Sequence, residues 1–366
     1  MKLSITRERL LDPLQTVTSV VEKRQALPIL SNVLLVAGGE CLTLTGTDME
    51  VEIIVKVDAP AKNEGAVTLP ARKLVDICRA LPSDSQIELE GREGRATLKS
   101  GRSRFTLATL PAADFPAVGD IGTAVRVVVE SKALRELVID TQFAMAHQDI
   151  RYYLNGLLLE FDGERIRAVA TDGHRMALGD LEWRTGVEET KQIIVPRKGV
   201  MELSRMLAEV DGEVELQVTP NHLRVETAAR TLTSKLIDGK FPDYQRVIPL
   251  KSDKLVVGDR EVMRQGLART SILSNEKFRS VRLLLKSGQM QAFAHNPDHE
   301  EAEEEIVVSY TGPELEIGFN VVYLLDVLAA VKTEQVQVEL STPDKSALLQ
   351  PVGNASRKYV VMPMRL

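Results

Sequence analysis

Leu69-Pro70-Ala71-Arg72-Lys73-Leu74-Val75-Asp76-Ile77-Cys78-Arg79-Ala80-Leu81 returns 126 residues later as Val195-Pro196-Arg197-Lys198-Gly199-Val200-Met201-Glu202-Leu203-Ser204-Arg205-Met206-Leu207. In the first copy Leu74, Ile77, Cys78 and Leu81 fall at i, i+3, i+4 and i+7; in the second Val200, Leu203, Ser204 and Leu207 repeat the spacing with one polar substitution. Each copy predicts a helix with a single apolar stripe. The same offset joins Phe115-Pro116 to Phe241-Pro242, and a more diverged third copy runs Ile317-Gly318-Phe319-Asn320-Val321-Val322-Tyr323-Leu324-Leu325-Asp326-Val327-Leu328.

The repeat extends outward from these segments. Leu3-Ser4-Ile5 with Leu10 and Leu14 matches Val127-Val128-Val129 with Leu134 and Val138, and Leu255-Val256-Val257 with Val262 and Leu267. Strand patterns such as Ile87-Glu88-Leu89-Glu90, Val214-Glu215-Leu216 and Val336-Gln337-Val338 follow each second helix. The chain therefore predicts three copies of one α+β unit, each with two helices on a mostly antiparallel sheet, at residues 1–120, 121–250 and 251–366. Pro13 lies inside the helical pattern of residues 10–21, where its missing N–H predicts a kink or a restart.

At 366 residues, 44% hydrophobic and 27% charged, the chain has enough apolar side chain for several cores. No run approaches the roughly 20 apolar residues of a membrane span, and Met1-Lys2-Leu3-Ser4-Ile5-Thr6-Arg7 is no signal peptide, so a cytoplasmic protein without membrane contact is expected. Cys41 and Cys78 match no zinc or redox spacing and read as small core residues. The net charge of −6 is the wrong sign for a protein that holds nucleic acid by an all-over basic surface.

The positive charge is local. Arg72, Lys73 and Arg79 stand opposite the apolar stripe against Asp76, and Arg197, Lys198 and Arg205 against Glu202. Lys132 and Arg135, then Arg260, Arg264 and Arg269, lie on the first helices of the second and third units, and Lys23 and Arg24 follow that of the first. On one helix this is an ordinary solvated face. Three like units around an axis would instead gather the basic faces into one wall, able to hold phosphates without reading bases.

Catalytic and metal constellations are weak. Asp172 and His174 could pair in an enzyme of nucleic-acid metabolism, but no nucleophile or oxyanion site accompanies them, and Thr47-Asp48 repeats Thr171-Asp172, which marks the aspartate as a turn residue. His295 and His299 sit near Glu300 and Glu303, yet Pro297 lies between them, and residues 300–305 read as a solvated acidic loop. No Gly-Lys-Ser/Thr phosphate loop and no acidic set for two-metal polymerase chemistry is visible. A repeat-built interaction scaffold is a third reading.

Longer segments carry a resemblance. They are Leu27-Pro28-Ile29-Leu30-Ser31-Asn32, Leu44-Thr45-Gly46-Thr47-Asp48-Met49-Glu50 and Ser100-Gly101-Arg102-Ser103-Arg104-Phe105 in the first unit. In the second they are residues 145–156, Met-Ala-His-Gln-Asp-Ile-Arg-Tyr-Tyr-Leu-Asn-Gly, and Ala170-Thr171-Asp172-Gly173-His174-Arg175; the third ends in Val360-Val361-Met362-Pro363-Met364-Arg365-Leu366. Together they resemble the bacterial sliding clamp, the β subunit of DNA polymerase III, over the whole chain. The resemblance implies the DNA clamp fold and two protomers closing head to tail into a ring. It implies a non-catalytic processivity factor, without metal or cofactor, that encircles double-stranded DNA regardless of sequence and tethers DNA polymerase III. A separate clamp loader, and other polymerases and repair proteins carrying a short peptide motif, are the further partners implied.

Residue by residue, the resemblance suggests DNA contacts at Arg24, Arg72, Gln148, Tyr152, Tyr153, Lys198 and Arg205. Strand alternation would send one of the two adjacent tyrosine rings inward. It suggests a homodimer seam of Phe105, Leu107, Ile272 and Leu273, with Lys73, Arg102 and Arg104 facing Glu300, Glu301, Glu303 or Glu304. It suggests a partner-peptide pocket of Leu154, Thr171, Gly173, His174, Arg175, Met176, Pro242, Arg246, Val247, Val360, Met362, Pro363, Met364 and Arg365. Methionine-rich walls suit several related peptides, and His174, Arg175, Arg246 and Arg365 would form a polar rim. Met176 stands where the family suggests leucine, and residues 341–346 match poorly, both beside that pocket.

Overall fold

The computed structural model describes residues 1–22, 27–92, 94–122, 124–250 and 252–365. Six α-helices occur among the described residues: α1 Arg7–Thr18, α2 Ala71–Ala80, α3 Ser131–Gln142, α4 Arg197–Ala208, α5 Arg260–Ser271 and α6 Val321–Ala330. Each third of the chain runs strand, helix, strands, helix, strands. Side-chain caps start three of the helices: Thr6 accepts from the Arg9 N–H at 3.4 Å, Asp259 from Val262 at 2.8 Å and Asn320 from Val322 at 2.9 Å. The stripe read from residues 69–81 buries Ala71, Leu74, Val75 and Cys78. Its partner in α4 buries Val200, Leu203, Met206 and Leu207.

Helix α1 continues through Pro13 without restarting. Proline removes one N–H, but Leu10 and Leu11 before it and Leu14 and Val17 after it are all buried, and this apolar anchoring outweighs one lost hydrogen bond. Cys78 is buried, which pushes its thiol up to about 11, whereas Cys41 is only half-buried at the start of its strand.

Among the described residues all paired strands are antiparallel, in four sheets. The first has five strands, with Ser103–Ala108 outermost. The second has eight: four from the first third of the chain and four from the second, joined where Arg230–Lys235 pairs with Val51–Asp58. The third also has eight, joined where Arg357–Val361 pairs with Arg175–Glu182. The fourth has four, with Glu301–Val307 outermost.

These sheets explain why the chain divides into two compact units although its sequence repeats three times. One unit comprises residues 1–132 and 198–236, the other 133–197 and 237–366. Each contains one complete eight-stranded sheet, so the second repeat is shared between them.

The two joins are copies of each other. Leu232 faces Ile53 in one and Tyr359 faces Ala177 in the other. Carrying the same repeat one step further makes Glu301–Val307 the counterpart of Val51–Asp58, and Ser103–Ala108 the counterpart of Arg230–Lys235. Each of those two ends its sheet and is bonded on one side only, as is the strand at the opposite end of each sheet. Residues 301–307 are thus an edge strand and not the acidic loop expected from the charge run. Alternation turns Ala302, Glu304 and Ile306 inward, and Glu304 meets Arg269 of α5 at 2.5 Å.

Candidate functional site

In the second unit a tight turn links strands Arg165–Thr171 and Arg175–Glu182. Thr171 Oγ1 accepts from the Gly173 N–H at 3.1 Å and donates to the Arg175 carbonyl at 2.6 Å. Asp172 Oδ1 accepts from the N–H groups of His174 at 2.9 Å and Arg175 at 3.0 Å. Gly173 has φ +88°, and a Cβ there would lie 2.9 Å from the Arg151 guanidinium. The left-handed backbone and the close approach of Arg151 both favour glycine here.

Charged side chains brace the turn. Arg175 binds Asp172 Oδ2 at 3.1 Å, Asp326 of α6 and the Phe143 carbonyl at 3.1 Å, and its guanidinium lies 4.5 Å from the Tyr323 ring centroid. With its side chain 12% exposed, it is a strut and not the free rim donor expected from sequence. The His174 ring stacks on Tyr323 at 6.4 Å. Arg151 forks onto Asp149 at 3.0 and 2.8 Å, which holds that carboxyl down to about 2. Both Asp172 oxygens accept hydrogen bonds from residues of the turn, the role of a turn residue.

Beside the turn opens a cavity of about 160 Å³. Of the pocket residues expected from sequence, Leu154, Thr171, Gly173, His174, Arg175, Pro242, Val247, Val360 and Met362 line it, together with Arg151 and Tyr153. The tail reaches it through the Met362 N–H, which donates to the His174 carbonyl at 2.9 Å. Met176 lies beneath the floor, 2% exposed, packed with Leu158, Val169, Leu178 and Ile194. Arg246 points to solvent with its side chain 84% exposed, paired to Asp243 at 2.8 Å. Pro363 is half-buried outside the lining, and Met364 and Arg365 line a different groove, where the Met364 N–H donates to the Gly318 carbonyl at 2.8 Å. Residues 341–346 contribute no lining side chain. Arg151 is a lining residue that the sequence reading does not assign to the pocket; the signal for it is Asp149, an acidic partner at i−2.

Tyr152 and Tyr153 occupy a 3-10 turn, Tyr152–Leu154, so strand alternation does not apply to them. Their rings meet edge to face at 5.8 Å; Tyr152 is exposed and Tyr153 faces the cavity. Gln148 is exposed with φ +56°. In the first unit Arg72 and Arg205 are exposed on α2 and α4, whereas Lys198 is drawn inward onto Asp48, Glu22 at 2.9 Å and the Val20 carbonyl at 3.1 Å. Burial lowers the Lys198 pKa, but the bonds to Asp48 and Glu22 more than offset it, so the net shift is upward. Arg24 lies outside the described residues.

Of the seam residues expected from sequence, Arg104, Phe105 and Leu107 fall on an outermost strand. Phe105 and Leu107 are half-buried on Ser103–Ala108 between exposed Arg104, Thr106 and Ala108, with exposed Lys73 and Arg102 elsewhere in that unit. Ile272 is 74% exposed after α5, Leu273 half-buried, and Val307 on the outermost strand of the other unit is 76% exposed. His295 and His299 belong to a third version of the turn: Asn296 Oδ1 accepts from the N–H groups of Asp298 and Glu300, both at 3.0 Å, and His299 has φ +63°. Among the described residues no three metal-ligating side chains cluster.

Family models for the N-terminal, central and C-terminal domains of the DNA polymerase III beta subunit match residues 1–119, 128–243 and 245–365. The beta sliding clamp of Pseudomonas putida is 54% identical and that of Escherichia coli K12 47% identical, each over 100% of both chains. The crystal structure of the DNA polymerase III subunit beta from Pseudomonas aeruginosa superposes with a TM-score of 0.97 at 53% identity, covering 100% of both chains.

Proposed function

The chain belongs to the family of DNA polymerase III beta subunits, the sliding clamps, and from that premise we propose how its parts serve replication. It is a non-catalytic processivity factor. The observation that carries the finer reading is that two of the open strand edges are the repeat counterparts of strands joined elsewhere in the chain. Two joins of one geometry are completed within the chain, and the two halves of a third, Ser103–Ala108 and Glu301–Val307, are left open, one in each unit. A second copy supplies each missing half, head to tail, and two copies close the ring that the family resemblance implies. Arg102 and Arg104 then meet Glu301 and Glu303, while Phe105, Leu107, Ile272 and Leu273 supply the apolar seam.

A closed ring holds duplex DNA by topology, which reconciles a net charge of −6 with DNA as the partner. Contacts from Arg24, Arg72, Gln148, Tyr152, Tyr153, Lys198 and Arg205 would reach phosphate and sugar, because sliding requires indifference to sequence. The cavity beside the Thr171–Arg175 turn takes the short apolar motif of DNA polymerase III, the loader and repair polymerases. Its walls, Leu154, Val247, Val360, Pro242 and Met362, are apolar and adaptable. The three sequence repeats are the domains of the ring, and the protein works in the cytoplasm, with the chromosome.

The test is retention. Loaded onto a nicked circular duplex, the protein should co-elute with the circle and leave when the DNA is cut to a linear form. Leu273→Asp buries a charge in the seam and should yield monomers by sedimentation that no longer stay on the circle. Equal retention on linear and circular DNA, or an unchanged dimer mass for the variant, overturns the ring.

A further inference from the structure

The basic side chains on the helices are not equivalent, although their sequence pattern suggests a uniform wall. On α5, Arg264 forks onto Glu261 at 3.0 and 2.6 Å, Arg269 onto Glu304 at 3.2 and 2.5 Å, and Arg260 lies 3.5 Å from Glu261. Lys198 on α4 is held by two carboxylates. Arg72 and Arg79 on α2 have no carboxylate within ion-pair distance among the described residues. These two converge with Arg205 on one groove of about 450 Å³ between α1, α2 and α4, where Asp76 is the one acidic lining residue.

Each guanidinium in the groove is fixed by an anchor that leaves other donors free. Arg72 Nη2 donates to the Val21 carbonyl at 3.3 Å. Arg79 donates through Nε at 3.0 Å and Nη2 at 3.2 Å to the carboxamide oxygen of Gln15, the orientation that two N–H donors require. Arg205 Nη1 donates to Glu202 at 2.6 Å, and the other oxygen of that carboxylate takes the Ser19 hydroxyl at 2.8 Å. A guanidinium has five N–H donors, so three partly anchored arginines present charged donors into one groove.

We propose that Arg72, Arg79 and Arg205 form a discrete cradle for a DNA backbone phosphate, with Arg79 and its anchor Gln15 as essential parts. The duplex is then gripped at one groove in each protomer, where Arg72 and Arg79 have no carboxylate partner; Arg205, paired with Glu202 as Arg264 is with Glu261, adds only its remaining donors. This rests on the reading of the chain as a clamp that encloses DNA. It differs from a uniform wall in ranking Arg79 above Arg264.

Arg79→Gln and Arg264→Gln change the net charge equally, so any effect of total charge falls on both alike. Binding of a short fluorescent duplex to the dimer, followed by anisotropy from about 50 to about 200 mM salt, counts the phosphate contacts. The expected result is that Arg79→Gln weakens binding about 3- to 10-fold at low salt and flattens the slope of log affinity against log salt by about 0.9, one contact's worth. Arg264→Gln should leave the slope unchanged, and Arg79→Lys should restore part of it. Equal slopes for both glutamine variants, with an unaltered protein still retained on circular DNA, overturn the cradle and leave the clamp reading standing. Loss of retention by the unaltered protein overturns the clamp reading itself.

Discussion

The turn of residues 47–51 and the turn of residues 171–175 share a backbone and differ in almost everything attached to it. Thr47 bonds the Met49 N–H at 3.0 Å and the Val51 carbonyl at 3.0 Å, and Asp48 bonds the N–H groups of Glu50 and Val51 at 2.9 and 2.7 Å, repeating the bonds of Thr171 and Asp172. Even the strand beyond repeats: the Lys235 N–H donates to the Glu50 carbonyl at 2.8 Å as Met362 does to His174. But Met49 stands at the position of Gly173, Glu52 at that of Met176, Thr233 at that of Val360 and Lys235 at that of Met362. The Glu52 carboxylate is used to tie down the chain's own segment, accepting from the Val118 N–H at 2.7 Å. The shared Thr-Asp pair makes the turn by bonding its side chains to the backbone, and a few neighbouring side chains decide whether a cavity opens beside it.

Exchanging those side chains tests this directly, and the floor should be the most sensitive place. Met176→Glu puts a carboxylate among Leu158, Val169, Leu178 and Ile194, where the first unit has the Val118 N–H and this cluster is apolar. An ionised carboxylate in such surroundings should cost more than about 4 kcal/mol. Calorimetry is expected to show the second unit melting well before the first; a single unshifted transition would mean that the floor tolerates charge.

The exchange at the turn itself should act on binding more than on folding. Met49 adopts φ +75°, so the backbone accepts methionine at this position for roughly 1 kcal/mol of strain. Gly173→Met should therefore leave the protein folded and dimeric, yet its side chain must displace Arg151 and enter the cavity. We expect a fluorescent peptide carrying a polymerase clamp-binding motif to lose about 100-fold in affinity, or about 2.7 kcal/mol. Undiminished peptide binding would separate the turn from the site.

Much of this contrast is legible in the order of residues alone. The 126-residue repeat marks the helices and their buried faces because an apolar stripe is a local property of a chain. The Thr-Asp turn is recognisable as a turn because two copies carry the same residue pair. What local pattern does not disclose is long-range. Sharing of the second repeat between two sheets depends on strand pairing across more than 170 residues, as between Ile53 and Leu232. Arg175 reads as a rim residue because nothing local shows that Asp326 and Tyr323 enclose it. The third turn is hidden because Asn296 replaces aspartate, and the acidic run after it masks an edge strand that is bonded on one side only.

The smallest expected effect lies at the sealed turn and depends on pH. Glu52 is 1% exposed; burial raises its pKa above the ordinary 4.5, against the opposing pull of the Val118 N–H and the Arg224 charge, and its second oxygen has no hydrogen-bond partner. The folded protein therefore keeps this proton at pH values where the unfolded chain has already released it. Stability from this group is fully present below 4.5 and declines as pH rises through the shifted value. Glu52→Gln keeps a carbonyl oxygen for the Val118 N–H and removes the ionisation. At about pH 8 the variant should be more stable by about 1 kcal/mol, and the advantage should vanish at about pH 4, where both side chains are neutral. Thermal melts of the two proteins across that range measure the gap. A gap that stays constant with pH, or a glutamine variant less stable at about pH 8, would show that the buried carboxylate is fully compensated as an ion. The seal of the first unit would then be a charge site as well matched as the second unit's cavity is apolar.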